Sequence, residues 1–282
     1  MTHVNAPTAG VALTAIGVAL IREQESRRPD RLYADPLATA FVDAARRDFT
    51  RTGAGAAKWE RVEAVAEQFF AGRSVGVRLV DDRVAEAVAA GCRQIVLLGA
   101  GLDTRAFRMG LPADVTVYEL DLPELFAFKE PVLRALHATP TTQRHVLPID
   151  LRTDWAVPLR ERGFRPELPT HWIDEGALPY LPPGDHLRTV ATLTTLSAPG
   201  SHFGLSRFAV DPEAAPYAEL RRLVAGDDAG MPPPDAGRPG EQWLLEHGWH
   251  TRFRAWDDMI VPLGRDVAVN DPEVGVVLAE RV

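Results

Sequence analysis

The stretch QIVLLGAGLDTRAFR, residues 94–108, decides how this chain is read. Gln94–Leu98 is an apolar run of the length of a buried strand, and it ends in Gly99-Ala100-Gly101, where absent side chains let a ligand approach the backbone. That is the turn of a nucleotide-binding α/β fold. The dinucleotide fingerprint asks for a third glycine three residues after Gly101, and Thr104 stands there, which disfavours NAD or FAD and favours a smaller adenosyl ligand. The next strand, VTVYELD, ends at Asp121, and 121 − 101 = 20 residues separate it from the last turn glycine. An acid at that place accepts hydrogen bonds from ribose hydroxyls. Glu119 lies two residues earlier on the same face, so one of the two meets the ribose while the other is structural; Asp121 is the choice.

Outward from this turn, short apolar runs alternate with amphipathic segments. Further strands are expected at Val115–Leu120, His145–Ile149, His171–Asp174, Ser201–Phe208 and Gly275–Glu280, with a short helix at Glu241–His247. The alternation is that of βαβ units in a mostly parallel sheet. The first ninety residues read as helices at roughly 8–25, 35–47, 56–72 and 76–90, with Asp35-Pro36 suited to a helix start. One elaborated domain is expected: a helical cap over 1–90 and a core over 91–282, with a cap insertion at about 205–240. Within it, Ala225–Gly240 is rich in Pro, Gly and Asp and reads as a surface loop or a lid.

Of 282 residues, 46% are hydrophobic and 25% charged, as in an ordinary globular protein. The formal charge is 31 − 39 = −8, which repels nucleic acid and anionic membrane surfaces. One cysteine, Cys92, forms neither an internal disulfide nor a site of several thiolates, and it suits a reducing cytoplasm. Val11–Ile21 lacks the basic flank and cleavage site of a signal peptide, and no run reaches the roughly 20 apolar residues of a membrane span. His247 and His250 are separated by Gly248 at a helix end, so no metal site is expected.

Beyond the glycine turn, the words RRPDRLYADPLA (27–38), LLGAGLDTRAFR (97–108), VYELDLPE with Lys129 (117–129), LPIDLRTDW (147–155), PTHWIDEGALPYLP (169–182), LSAPGS (196–201) and EQWLLEHGW (241–249) follow one another across nearly the whole chain. In this order and spacing the sequence resembles the S-adenosylmethionine-dependent methyltransferases of the leucine carboxyl methyltransferase type and their bacterial relatives. The resemblance implies a Rossmann-like seven-stranded, mostly parallel sheet with helices on both faces and an N-terminal helical cap. Position by position, it implies that Arg73 holds the methionine carboxylate and that Gly99, Ala100 and Gly101 pass under the cofactor. Asp121 would then bind the ribose, and Asp103 and Leu122 are further expected cofactor-binding residues. Asp150 and Leu151 would contact adenine, and Glu175 would lie near the ammonium group. Arg22 stands where related chains carry a basic residue, and it could bind the cofactor carboxylate, bind an acceptor carboxylate, or be a surface arginine. The chain departs from the family at Asp174, at Pro179 and near Leu79-Val80, on the acceptor side.

The expected chemistry is methyl transfer to an oxygen, foremost a carboxylate of a small molecule or peptide terminus. A carboxylate is already ionised at pH 7 and needs no base. A phenol or alcohol acceptor would need one, and His171, His202 and Tyr180 are its unranked candidates. Tyr180 and Arg22 are the candidates for acceptor binding.

Overall fold

A computed structural model of the protein describes residues 5–207, 215–225 and 238–282. Seven strands form one sheet: β1 (Gln94–Leu98), β2 (Thr116–Asp121), β3 (Gln143–Pro148), β4 (Thr170–Asp174), β5 (His202–Arg207), β6 (Trp249–Ala255) and β7 (Gly275–Arg281), in the order β3-β2-β1-β4-β5-β7-β6. β1 to β5 pair in parallel, and β7 is antiparallel to both β5 and β6. The strand order reverses between β1 and β4, and such a reversal opens a crevice at the carboxyl ends of the strands.

Alternation along β1 supplies both faces of the core. Ile95 and Leu97 pack with Val117 and Ile173 against Val80 and Val84 of helix α3 (Gly53–Ala89). Val96 and Leu98 pack with Tyr118, Leu120, Trp172 and Phe203 under Leu159 of α6 (Ala156–Glu161) and Val190 and Leu193 of α7 (Pro183–Thr195). A third cluster joins α1 (Ala12–Ser26), α2 (Pro36–Phe49), the first half of α3 and α5 (Pro123–Ala135) through Ile16, Phe41, Trp59 and Phe128. Among the described residues no helix is long and apolar enough to cross a membrane.

The expected helices at 56–72 and 76–90 are one helix of 37 residues. Their junction carries Gly72 and Gly76, which weaken a helix but do not stop one as a proline would; burial of Ser74, Val75 and Val77 carries the helix through, and the Ser74 hydroxyl donates back to the Ala71 carbonyl at 3.1 Å. β6, at the sheet edge, was not expected from the sequence. Its pattern WHTRFRA alternates buried and open positions, but three of its seven side chains are basic. The helix after the glycine turn, α4 (Arg105–Arg108), is a single turn. In the insertion, α8 (Ala215–Ala225) is tied to the chain just ahead of α1 through a bond from the Gly10 amide to the Val224 carbonyl at 3.0 Å. α9 (Arg238–Glu246) and α10 (Trp256–Ile260) complete the α-helices among the described residues. Phe208 and most of the expected Ala225–Gly240 loop lie outside the described residues.

His171 enters β4 beside His202 of β5, with ring centroids 6.4 Å apart. Burial, helped by the Arg83 charge, pushes its imidazole down to about 3. A base lowered by folding is neutral in the native state but protonates in the unfolded chain below its ordinary value of about 6.5. Stability from this group is therefore lost as pH falls from about 6.5 toward 3, by about 2 kcal/mol at pH 5. Urea unfolding at pH 7 and pH 5 should show His171→Leu losing about 2 kcal/mol less than the parent across that step. An equal loss in both proteins would assign the acid sensitivity elsewhere.

Candidate active site

The crevice at the β1/β4 reversal is a pocket walled by the carboxyl ends of β1 to β4 and roofed by Gly10, Val11, Thr14, Ala15 and Val18 at and near the start of α1. Its floor is the glycine turn. Gly99 and Ala100 both donate to the Leu120 carbonyl at 2.9 Å, and the Gly101 amide donates to Asp121 Oδ2 at 2.6 Å. Gly99 and Gly101 have φ of +70° and +53°, the left-handed region that favours glycine. A Cβ on Gly99 would also stand 2.3 Å from the Ala177 Cβ, so this glycine admits the β4 loop as much as any ligand.

The β4 loop is shaped by Asp174, one of the departures noted above. One carboxylate oxygen of this buried residue accepts from the amides of Gly176 (3.2 Å), Ala177 (2.7 Å) and Leu178 (3.1 Å). Burial pushes its carboxyl up, and those three amides oppose the shift. The turn so formed carries Glu175 to the pocket.

All of the sequence-predicted cofactor residues line this one pocket: Arg73, Gly99, Ala100, Gly101, Asp103, Asp121, Leu122, Asp150, Leu151 and Glu175. Asp121 Oδ1 accepts from the Leu122 amide at 2.7 Å, so each oxygen holds one backbone amide and keeps acceptor capacity for a ligand. Burial pushes its carboxyl up against the pull of those two amides. Glu119 is absent from the lining: it is fully buried, taken by Lys129 at 2.7 Å and by Arg144 through two bonds of 2.7 Å. Asp150 is gripped by the Arg152 guanidinium, which holds its carboxyl below the ordinary range.

Arg22 and Tyr180 also line the pocket. Arg22 is not a surface arginine, nor does its fork stand free for an acceptor. Its Nη2 donates to the Leu102 carbonyl at 2.6 Å, and its Nη1 faces Asp35 at 3.0 Å and Thr104 at 3.5 Å; only Nε has no partner among the described residues. Tyr180 keeps its proton, because burial pushes the phenol up. His171 and His202 begin their strands at the opposite end of the sheet and do not reach the pocket, which removes two of the three candidate bases.

The sequence reading missed the charge cluster behind Glu175. Arg105, 3% exposed, donates to Asp81 at 2.8 Å, to Asp103 at 2.5 Å and to Glu175. Arg108 also donates to Asp81 at 2.7 Å. Both arginines stand in the quoted DTRAFR word, but Asp81 lies on α3, and no local spacing connects them.

A methyltransferase-type α/β fold is the class that this sheet order and pocket define. A methyltransferase from Thermobifida fusca YX has the same fold (TM-score 0.55, 19% identity, covering 97% of this chain and 95% of that one). So does the magnesium protoporphyrin IX methyltransferase of Synechocystis PCC 6803, crystallised with bound SAH (TM-score 0.50, 13% identity, covering 86% and 100%). The leucine carboxyl methyltransferase family model matches residues 15–194, and the chain belongs to that family. Relatives named as S-adenosyl-L-methionine-dependent methyltransferases are 39% identical in Parafrankia sp. (97% of this chain, 88% of the relative) and 41% identical in Saccharopolyspora erythraea (94% and 92%). The protein is an S-adenosylmethionine-dependent methyltransferase.

The pocket fits that cofactor. Glu175 Oε1 is a buried acceptor without a hydrogen bond among the described residues, suited to an ammonium group, and Asp121 presents two oxygens with capacity left for a diol.

Proposed function

We propose that the protein transfers the methyl group to an oxygen, foremost a carboxylate of a small molecule or a peptide terminus. The bound cofactor supplies an electrophilic methyl group on a sulfonium whose leaving group is neutral. Arg73 and Glu175 would hold its amino-acid end, the Gly99-Ala100-Gly101 turn and Asp103 its middle, Asp121 and Leu122 the ribose, and Asp150 and Leu151 the adenine. Tyr180 is a neutral hydroxyl donor for the acceptor.

The observation that carries the oxygen assignment is the set of ionisable groups on the wall. The described lining holds Arg22, Arg73, Arg105 and Arg152, an exposed Glu124, four further acids paired or assigned to the cofactor above, and a protonated Tyr180, but no histidine or lysine. Such a wall aligns an acceptor that is already ionised and shields it from water, and alignment alone supplies several kcal/mol. It is poorly equipped to deprotonate a phenol or alcohol. We place the reaction in the cytoplasm, where Cys92, a buried thiol pushed up to about 11, stays inert.

Transfer of isotope-labelled methyl to carboxylic acids, phenols and peptides tests the reading. Label released from the product by mild alkali identifies an ester; label on phenols alone would overturn the carboxylate assignment, and no turnover to S-adenosylhomocysteine would make the protein a binder. At a hundred times its dissociation constant, S-adenosylhomocysteine should stabilise the fold by about 2.7 kcal/mol in urea unfolding. NAD producing that shift instead would overturn the cofactor assignment for this pocket.

A further inference from the structure

Glu175 stands between two arginines of different character. Arg105 is enclosed and held from two further sides by Asp81 and Asp103, so its guanidinium has no other place to go. Arg73 is 31% exposed; its Nη2 donates to the Glu175 backbone carbonyl at 2.6 Å and stands 3.7 Å from Oε1, beyond a hydrogen bond. The two carboxylate oxygens are thereby divided. Oε2 belongs to Arg105, and Oε1 accepts no hydrogen bond among the described residues.

We propose that Arg105 is a positioning residue for the amino-acid end of the cofactor, fixing Glu175 while Arg73 changes partner. The inference rests on the reading that Glu175 meets the ammonium and Arg73 the carboxylate. A ligand bearing both groups offers Glu175 Oε1 a new cation and draws Arg73 off by its own carboxylate. The charge around Glu175 is conserved in the exchange. It works only if the Glu175 carboxylate keeps its place while Arg73 leaves, and the bond from Arg105 to Oε2 supplies that anchor. Arg108 on Asp81 holds the far side of the cluster. Lysine cannot replace this fork, since three carboxylates at different bearings need donors spread over a plane.

Calorimetry with two ligands separates positioning from general support. S-adenosylhomocysteine carries the amino-acid end, and 5′-methylthioadenosine lacks it. Arg105→Lys should weaken S-adenosylhomocysteine about tenfold or more and leave 5′-methylthioadenosine within about twofold. Glu175→Asp, which draws the carboxylate back from Arg105 by one methylene, should give the same selective loss, and it carries the test if circular dichroism finds Arg105→Lys unfolded. In a Glu175→Gln background, Arg105→Lys should add nothing further. Equal weakening of both ligands, or unchanged S-adenosylhomocysteine binding in the folded variants, overturns the proposal. Failure of the parent protein to prefer S-adenosylhomocysteine over 5′-methylthioadenosine instead overturns the placement of the amino-acid end itself.

Discussion

Replacing Asp35 by alanine should lower stability by about 4 kcal/mol and the melting temperature by about 10 °C. Asp35 is fully buried and serves three near partners, with Arg108 at 4.0 Å as a fourth. It caps α2 by accepting from the Ala38 amide at 3.2 Å, it accepts the Thr104 hydroxyl at 2.7 Å, and it faces Arg22 at 3.0 Å. Losing the cap alone costs about 1 kcal/mol. The larger part comes from Arg22, itself 4% exposed, which would remain as a buried cation without its carboxylate; such orphaned charges cost roughly 3–5 kcal/mol. Arg165, paired with Glu167 on the surface, is the control: Arg165→Ala should cost less than about 0.5 kcal/mol. Asp35→Asn keeps an oxygen for the cap and restores about 1 kcal/mol of the loss. Urea and thermal unfolding measure all three. A loss below 1 kcal/mol in Asp35→Ala would mean that water reaches Arg22, so that its charge is not orphaned in the variant.

The contrast between Asp35 and Glu175 marks what the sequence made legible. Asp35-Pro36 reads locally as a helix start, and the glycine turn with Asp121 reads as a ribose site, because caps, turns and strand ends are set by neighbours within a few residues. Parallel strands buried on both faces are equally legible as apolar runs, and β1, β2 and β4 fall where those runs do. Long-range pairings are different. Nothing near Arg22 announces that Asp35 will neutralise it, or that Asp81, Asp103 and Glu175 will converge on Arg105, since these contacts form only when α1 and α3 close over the sheet. The choice between Glu119 and Asp121 belongs to the same category. Both point to one side of β2 in sequence, and only Lys129 and Arg144 decide which of them is spent inside the fold. β6 stayed hidden because an edge strand with basic side chains on its open face has little apolar content to betray it.

That choice makes Asp121→Ala the sharpest test of the pocket. S-adenosylhomocysteine should bind about a hundredfold more weakly to this variant, a loss of roughly 3 kcal/mol. Hydrogen bonds to a charged acceptor contribute about 1.5–3 kcal/mol each, and the two ribose hydroxyls would lose one oxygen apiece. The alanine also frees the Gly101 amide, now held at 2.6 Å, so a turn at φ +53° loses the bond that anchors it under the ligand. Glu119 cannot substitute, because Lys129 and Arg144 already occupy its carboxylate inside the sheet. Asp121→Asn retains one acceptor oxygen and should fall between the two. Calorimetry on variants with a native circular dichroism spectrum reads the affinities; an unchanged dissociation constant in Asp121→Ala would remove the ribose from this strand end. Acid provides an independent reading of the same group. Burial pushes the Asp121 carboxyl up, so its protonation, and with it the loss of ribose binding, sets in at a higher pH than for an ordinary aspartate near 3.9. Affinity in the parent protein should therefore decline as pH falls toward that raised value, while Asp121→Ala, with no carboxylate left to protonate, should lack this part of the decline.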